Sequence, residues 1–148
     1  IRKFLKDKLF NRWLITLTRI AYTPSGKDRV IHNYGLRDKL EVQENIVGPD
    51  ELVKEASGKR PYKALLGTDD TAEIHLVYEW IIGEDVYLWR VNNKPKNIDE
   101  RVARFGADSG GAVFGCSGDP SYSYSSLGVR AEGARMKPRK KFRKKQER

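Results

Sequence analysis

Cysteine is nearly absent from this chain. Cys116 stands alone, so no disulfide can close within the chain, a usage that fits a reducing compartment. Only two histidines, His32 and His75, accompany it, too few to build the usual structural zinc sets. No apolar run approaches the roughly 20 residues that a membrane-crossing helix needs, and no membrane is expected among the partners. There is no P-loop. Gly106, Gly110 and Gly111 lack the spacing of a dinucleotide-binding fingerprint, and no strong strand pattern precedes them. No internal repeat is visible, and no cofactor is expected.

What is present is charge, unevenly placed. The 148 residues are 39% hydrophobic and 33% charged, enough for one folded domain with tails. The formal charge is +9, and residues 130–148 hold ten Lys or Arg against two Glu. The tail therefore has a net charge of +8 and the preceding 129 residues only +1. A nearly neutral body with a cationic arm is implied, rather than a uniformly basic domain. The chain begins at Ile1 rather than methionine. A removed presequence or an unordered preceding stretch would account for that.

Residues 71–92 look like the organising hairpin. Ala72, Ile74, Leu76, Tyr78 and Trp80 alternate with Glu73, His75, Val77 and Glu79, the period-two pattern of a half-buried strand. Gly83, Glu84 and Asp85 would turn the chain, and residues 86–91 would return it. Two of the three tryptophans would then sit at the core. His75 would lie on the polar face beside Glu73 and Glu79, read as a solvated face rather than a metal site or general base.

Along the rest of the chain, residues 1–12 predict a short basic amphipathic helix, with Ile1, Leu5 and Leu9 on one side. Residues 13–22 predict a strand, 23–26 a Pro/Gly turn, and 29–34 the returning strand. Pro49, Asp50 and Glu51 open an expected short helix ending at Gly58. Residues 58–63 read as a basic loop in which Lys59, Arg60 and Lys63 are candidates for phosphate contact, with Tyr62 as a further donor. Asn97 or Asp99 would cap a short helix through Phe105. Residues 106–128 are rich in Gly, Ser and Tyr. They read as a surface loop holding one buried strand at 112–114, or as an arm that orders on a partner.

The string Asp108-Ser109-Gly110-Gly111-Ala112-Val113 resembles the segment around the nucleophilic serine of trypsin-like proteases. That resemblance implies Ser109 as nucleophile and His32 or His75 as base. The chain departs from that family in four ways. It is too short for two barrels, and neither histidine has the small-residue surroundings of the family's base. Ala107 stands where the family has glycine, and much of the chain beyond Ser109 is a charged tail. A glycine-rich turn is the simpler reading.

The expected fold is α+β, a small mainly antiparallel sheet with short helices and an extended, basic C-terminal arm. The expected parts are a body over 1–105, a Gly/Ser/Tyr-rich loop or arm over 106–128 and a basic tail over 129–148. Lys137, Arg139, Lys140, Lys141, Arg143, Lys144 and Lys145 surround Phe142. Such a run neutralises phosphates and releases counterions, and Phe142 would stack on an unpaired base. The expected function is a non-enzymatic, structural RNA-binding component of a large ribonucleoprotein. A ribosomal protein of a mitochondrion or another organelle, or failing that of the cytoplasm, fits best. Its partners would be rRNA and neighbouring proteins. Two rivals come from other classes. One is an assembly subunit of an organellar membrane complex, its basic helix and arm against anionic headgroups. The other is a hydrolase using Ser109.

Overall fold

The β-branched run from Arg12 to Tyr22 forms the longest strand, β1, and the sheet is assembled on both of its edges. The computed structural model describes residues 1–108, 111–121 and 125–126. Helix α1 (Arg2–Leu9) precedes β1; β2 (Asp28–His32), β3 (Leu40–Glu44) and β4 (Glu51–Leu52) come after it. Next come a 3₁₀ turn (Val53–Glu55) and the helices α2 (Arg60–Leu66) and α3 (Thr71–Ile82). The chain then adds β5 (Val86–Trp89), β6 (Asp99–Asp108), β7 (Gly111–Gly118) and β8 (Ser125–Ser126). The strands lie in the order β3-β2-β1-β6-β7-β5-β4, with β8 beside β1. All pairs are antiparallel except β5 with β7 and β1 with β8. Among the described residues the result is mixed α/β content, a curled sheet and three short α-helices. Register shifts between Ile15 and Arg19 of β1, and between Val102 and Arg104 of β6, mark irregularities of the kind that bend a sheet.

One face of the sheet is the core. Leu14, Ile20 and Tyr22 of β1, Ala103, Phe105 and Ala107 of β6, Ala112, Phe114 and Cys116 of β7, and Val86 and Leu88 of β5 are all buried. Helix α3 closes over them with Ile74, Ile81 and Ile82. Its Tyr78 stacks on Phe105 with ring centroids 4.4 Å apart and planes 20° off parallel. Burying one such aliphatic side chain contributes about 1.5–3 kcal/mol. The Tyr22 hydroxyl donates to the Cys116 carbonyl at 2.9 Å, tying β1 to β7 across β6. Asp28 is fully buried, and its carboxylate accepts from the Thr23 amide at 2.8 Å and the Ile46 amide at 3.0 Å. The first bond fixes the β1–β2 turn; the second holds the segment that leaves β3.

The expected hairpin over 71–92 is half wrong. Its first arm is α3. The Asp70 side chain accepts from the Glu73 amide at 2.9 Å, and Gly83 ends the helix in the left-handed region at φ 88°. Both are strong helix boundaries. Ile74, Tyr78, Ile81 and Ile82 also satisfy helical spacing, so two periods are compatible with the same apolar residues. Only the second arm, β5, is a strand. The expected helix from 97 to 105 is instead β6, because β1 and β7 supply ladder partners on both sides. The expected helix after Pro49 is β4 followed by the 3₁₀ turn, and the basic loop 58–63 runs into α2, with Pro61 in its first turn. The buried strand expected at 112–114 is present but longer: β7 runs over Gly111–Gly118 as an interior strand, buried at every position except Ser117, where a surface loop was expected around it. The compositional change after residue 105 falls inside β6.

Candidate nucleic-acid interface

Three of the cations expected to meet phosphate, Lys59, Arg60 and Lys63, lie at one short helix. Lys59 caps α2, while Arg60 and Lys63 project from it, and all three are exposed. Arg60 is ion-paired to Glu44 of β3 at 2.9 Å, which positions it while partly offsetting its charge. Arg60 and Lys63 form one wall of a shallow cleft whose other wall is Leu40, Val42 and Glu44 of β3. Tyr62 is not available to a phosphate. It is buried, and its hydroxyl donates to Glu51 at 3.0 Å. Burial, with the neighbouring Glu51 carboxylate, pushes its pKa well above the ordinary tyrosine value. Lys137, Arg139, Lys140, Lys141, Phe142, Arg143, Lys144 and Lys145 lie outside the described residues.

A second surface does not stand out in the sequence. It is the sheet face that turns away from the helices. In the ladder, Trp13 lies opposite Gly106, Gly106 opposite Val113, and Val113 opposite Tyr87. The next rung runs from Arg104 to Gly115 to Trp89. These rungs bring together two indoles, a phenol and a guanidinium. The Arg104 guanidinium carbon lies 4.2 Å from the Trp13 ring centre, and the Trp13 and Trp89 rings are 6.2 Å apart with a 44° tilt. Gly106 makes room for this: a Cβ there would stand 2.8 Å from Cε3 of Trp13. Trp89 is 45% exposed and Tyr87 37%. Farther along β1, the Arg19 guanidinium lies 4.4 Å over the ring of Tyr34 while bonding Glu100 at 3.0 Å. Arginine held on an aromatic face is a cation–π arrangement. Exposed rings on a sheet beside guanidinium groups are also what unpaired bases stack on. The signal in the sequence is the alternation of Val86 and Leu88 with Tyr87 and Trp89. Which of the two faces is buried depends on the sheet's other partners.

Of the candidate catalytic residues, His32 belongs to β2 and His75 to α3. His75 is buried on α3, not displayed on a polar strand face. Its Nε2 is 3.5 Å from a Glu79 oxygen and 3.7 Å from an Asp85 oxygen. Asp85 also binds Lys54 at 2.6 Å, and that bond raises the lysine's pKa. His32 is half-buried, with Nδ1 3.1 Å from the Thr18 hydroxyl. Burial pushes its pKa down, against a smaller opposing effect of the Ala64 and Lys63 backbone. Ser109 lies outside the described residues, between Asp108 and Gly111, which pair across β6 and β7. Cys116 is fully buried, and burial pushes its thiol up to about 12, the behaviour of a structural thiol rather than a nucleophile. Among the described residues, no group of His, Cys, Asp and Glu is arranged to hold a metal ion. Among the same residues, no helix is long and apolar enough to cross a membrane.

No protein-family model, curated protein or solved structure matches the chain.

Proposed function

We propose that this protein is a structural, non-catalytic RNA-binding component of a ribonucleoprotein particle. A ribosomal protein is the class its composition fits best. The observation that carries the reading is the outer sheet face, where Trp89 and Tyr87 stand open beside the Trp13–Arg104 pair. Stacking on such rings is tolerant of sequence, and each base so held contributes about 1–3 kcal/mol. The cations of α2 and of residues 130–148 supply the other half of the binding energy, by displacing counterions from phosphate. The near-neutral remainder suits packing against protein neighbours.

The test is a salt titration with fluorescein-labelled RNA, single-stranded and duplex, read by anisotropy. Tighter binding to the single strand is expected, because a duplex keeps its bases stacked on each other and unavailable to the sheet. The logarithm of affinity should fall linearly with the logarithm of salt. Salt-independent binding, or none, would remove the reading.

A further inference from the structure

A cavity of about 580 Å³ lies between the sheet and the helices α1 and α3. We infer that it takes the alkyl chain of a single-chain anionic amphiphile of the fatty-acid class. This inference does not rest on the RNA reading, since the cavity is on the opposite face of the sheet from Trp89 and Arg104.

The size is that of a small-molecule site, which typically spans about 300–1,000 Å³ and is mostly apolar. Leu5 and Leu9 of α1, Leu14 of β1, Phe105 of β6, and Tyr78 and Ile81 of α3 form its walls. Thr16, Thr18 and Asn33 of the lining have partners within the protein, and Tyr78 brings one further hydroxyl. The Thr16 hydroxyl donates to the Ala103 carbonyl at 2.7 Å, and the Thr18 hydroxyl bonds His32 and the Leu65 carbonyl. The Asn33 amide reaches the Asp38 carbonyl at 3.4 Å. The interior therefore rewards a hydrocarbon and offers little to a polar ligand, because burying an unmatched polar group costs free energy. Each methylene it takes from water strengthens binding by about fourfold.

The cavity is open rather than sealed. Val77 of α3 and Leu36 of the β2–β3 loop line it, yet they remain 47% and 51% exposed, so they form its rim. Of the segments around the cavity, helix α1 and the β2–β3 loop are cationic, while α3, which carries Val77, has Glu73 and Glu79 and no Lys or Arg. Helix α1 and the loop present Arg2, Lys3, Lys6, Lys8, Arg37 and Lys39, all exposed, against Asp7 and Asp38. A chain lying inward with its head outward on the α1 and loop side thus leaves an anionic group among cations, which selects a carboxylate over an alcohol.

The experiment uses the full chain and a dansyl-labelled undecanoic acid, whose emission rises on entering an apolar site. Saturable enhancement is expected, displaced by palmitate and at least about tenfold less well by hexadecanol. Val77→Glu and Leu36→Glu place a carboxylate at the exposed rim, where folding tolerates it. Each should weaken the probe by at least about tenfold while the thermal midpoint holds. Absence of saturable enhancement, or full affinity in both rim variants, would overturn the site. Equal competition by hexadecanol would overturn the anionic head. Co-flotation with phosphatidylcholine–phosphatidylserine vesicles without uptake of the free probe would overturn the cavity in favour of a surface that docks on lipid.

Discussion

Arg104 holds its guanidinium carbon 4.2 Å from the centre of the Trp13 ring, on the sheet face opposite the described helices. Both side chains come from long strands, so the pair is presented by a rigid scaffold and not by a loop. A preorganised stack of this kind lowers the ordering cost of binding. Trp89, 6.2 Å from Trp13, extends it toward solvent.

Trp89→Ala should therefore weaken single-stranded RNA binding by about 1–3 kcal/mol, the value of one stacked base. Stability should move less, because the indole is 45% exposed. The paired measurements are anisotropy with a labelled single strand and a urea melt. Wild-type affinity in a folded Trp89→Ala variant would remove the sheet face from the interface.

Gly106 tests the geometry of the same face from beneath. A Cβ at this position would lie 2.8 Å from Cε3 of Trp13 and 3.0 Å from the Arg12 carbonyl oxygen. The backbone contact cannot yield without moving β1. Gly106→Ala should destabilise the fold by about 1–3 kcal/mol, the usual cost of overpacking, and should lift Trp13 off the sheet. A drop in urea midpoint with altered tryptophan emission is expected. An unchanged midpoint and spectrum would mean that the indole does not lie over Gly106.

Much of this arrangement is legible in the residues, but not the parts that depend on partners distant in sequence. The first helix and β1 are legible because residues 1–22 carry one period at a time. Residues 71–82 carry two, and the deciding features are local ones, the Asp70 cap and the Gly83 terminator, which strand-like alternation masks. Residues 99–105 have a plausible cap and helical spacing, and lose both to the ladders offered by β1 and β7. The cations at Lys59, Arg60 and Lys63 are found by composition, which needs no fold. Trp13, Tyr87, Trp89 and Arg104 are not, because four strands, β1, β6, β7 and β5, must register before these side chains share a face. From sequence Trp80 and Trp89 read as core residues, yet they are 51% and 45% exposed.

His32 gives the fold a pH dependence of definite sign. Burial lowers its pKa from the ordinary 6.5, so between the folded and unfolded values the unfolded chain binds more protons. Stability contributed by the neutral ring is fully present above about pH 6.5 and is lost as pH falls toward the lowered folded-state value. The loss should appear as a falling urea midpoint between neutral and mildly acidic pH, reduced in His32→Gln. That substitution keeps a polar group near Thr18 but cannot titrate. If the two proteins follow parallel pH profiles, another group is responsible.

The cationic arm and the sheet face predict separable losses, which makes the RNA reading divisible. Residues 137–148 contain eight Lys or Arg and one Glu. On the proposed reading, removing them should take away phosphate neutralisation and spare the ring stack. For a single strand the salt slope falls by about 0.7 for each phosphate that is no longer neutralised. The truncated chain should therefore bind more weakly at low salt and depend less on salt, with an unchanged urea midpoint. Its residual binding should still be sensitive to Trp89→Ala. Lys59→Ala with Lys63→Ala in the full chain should give a smaller change in slope and the same affinity order among RNA sequences, since backbone contacts carry no sequence information. Truncation that leaves both slope and affinity at the full-length values would show that the arm does not touch RNA. A truncated chain that binds no RNA at any salt would show that the sheet face holds none by itself.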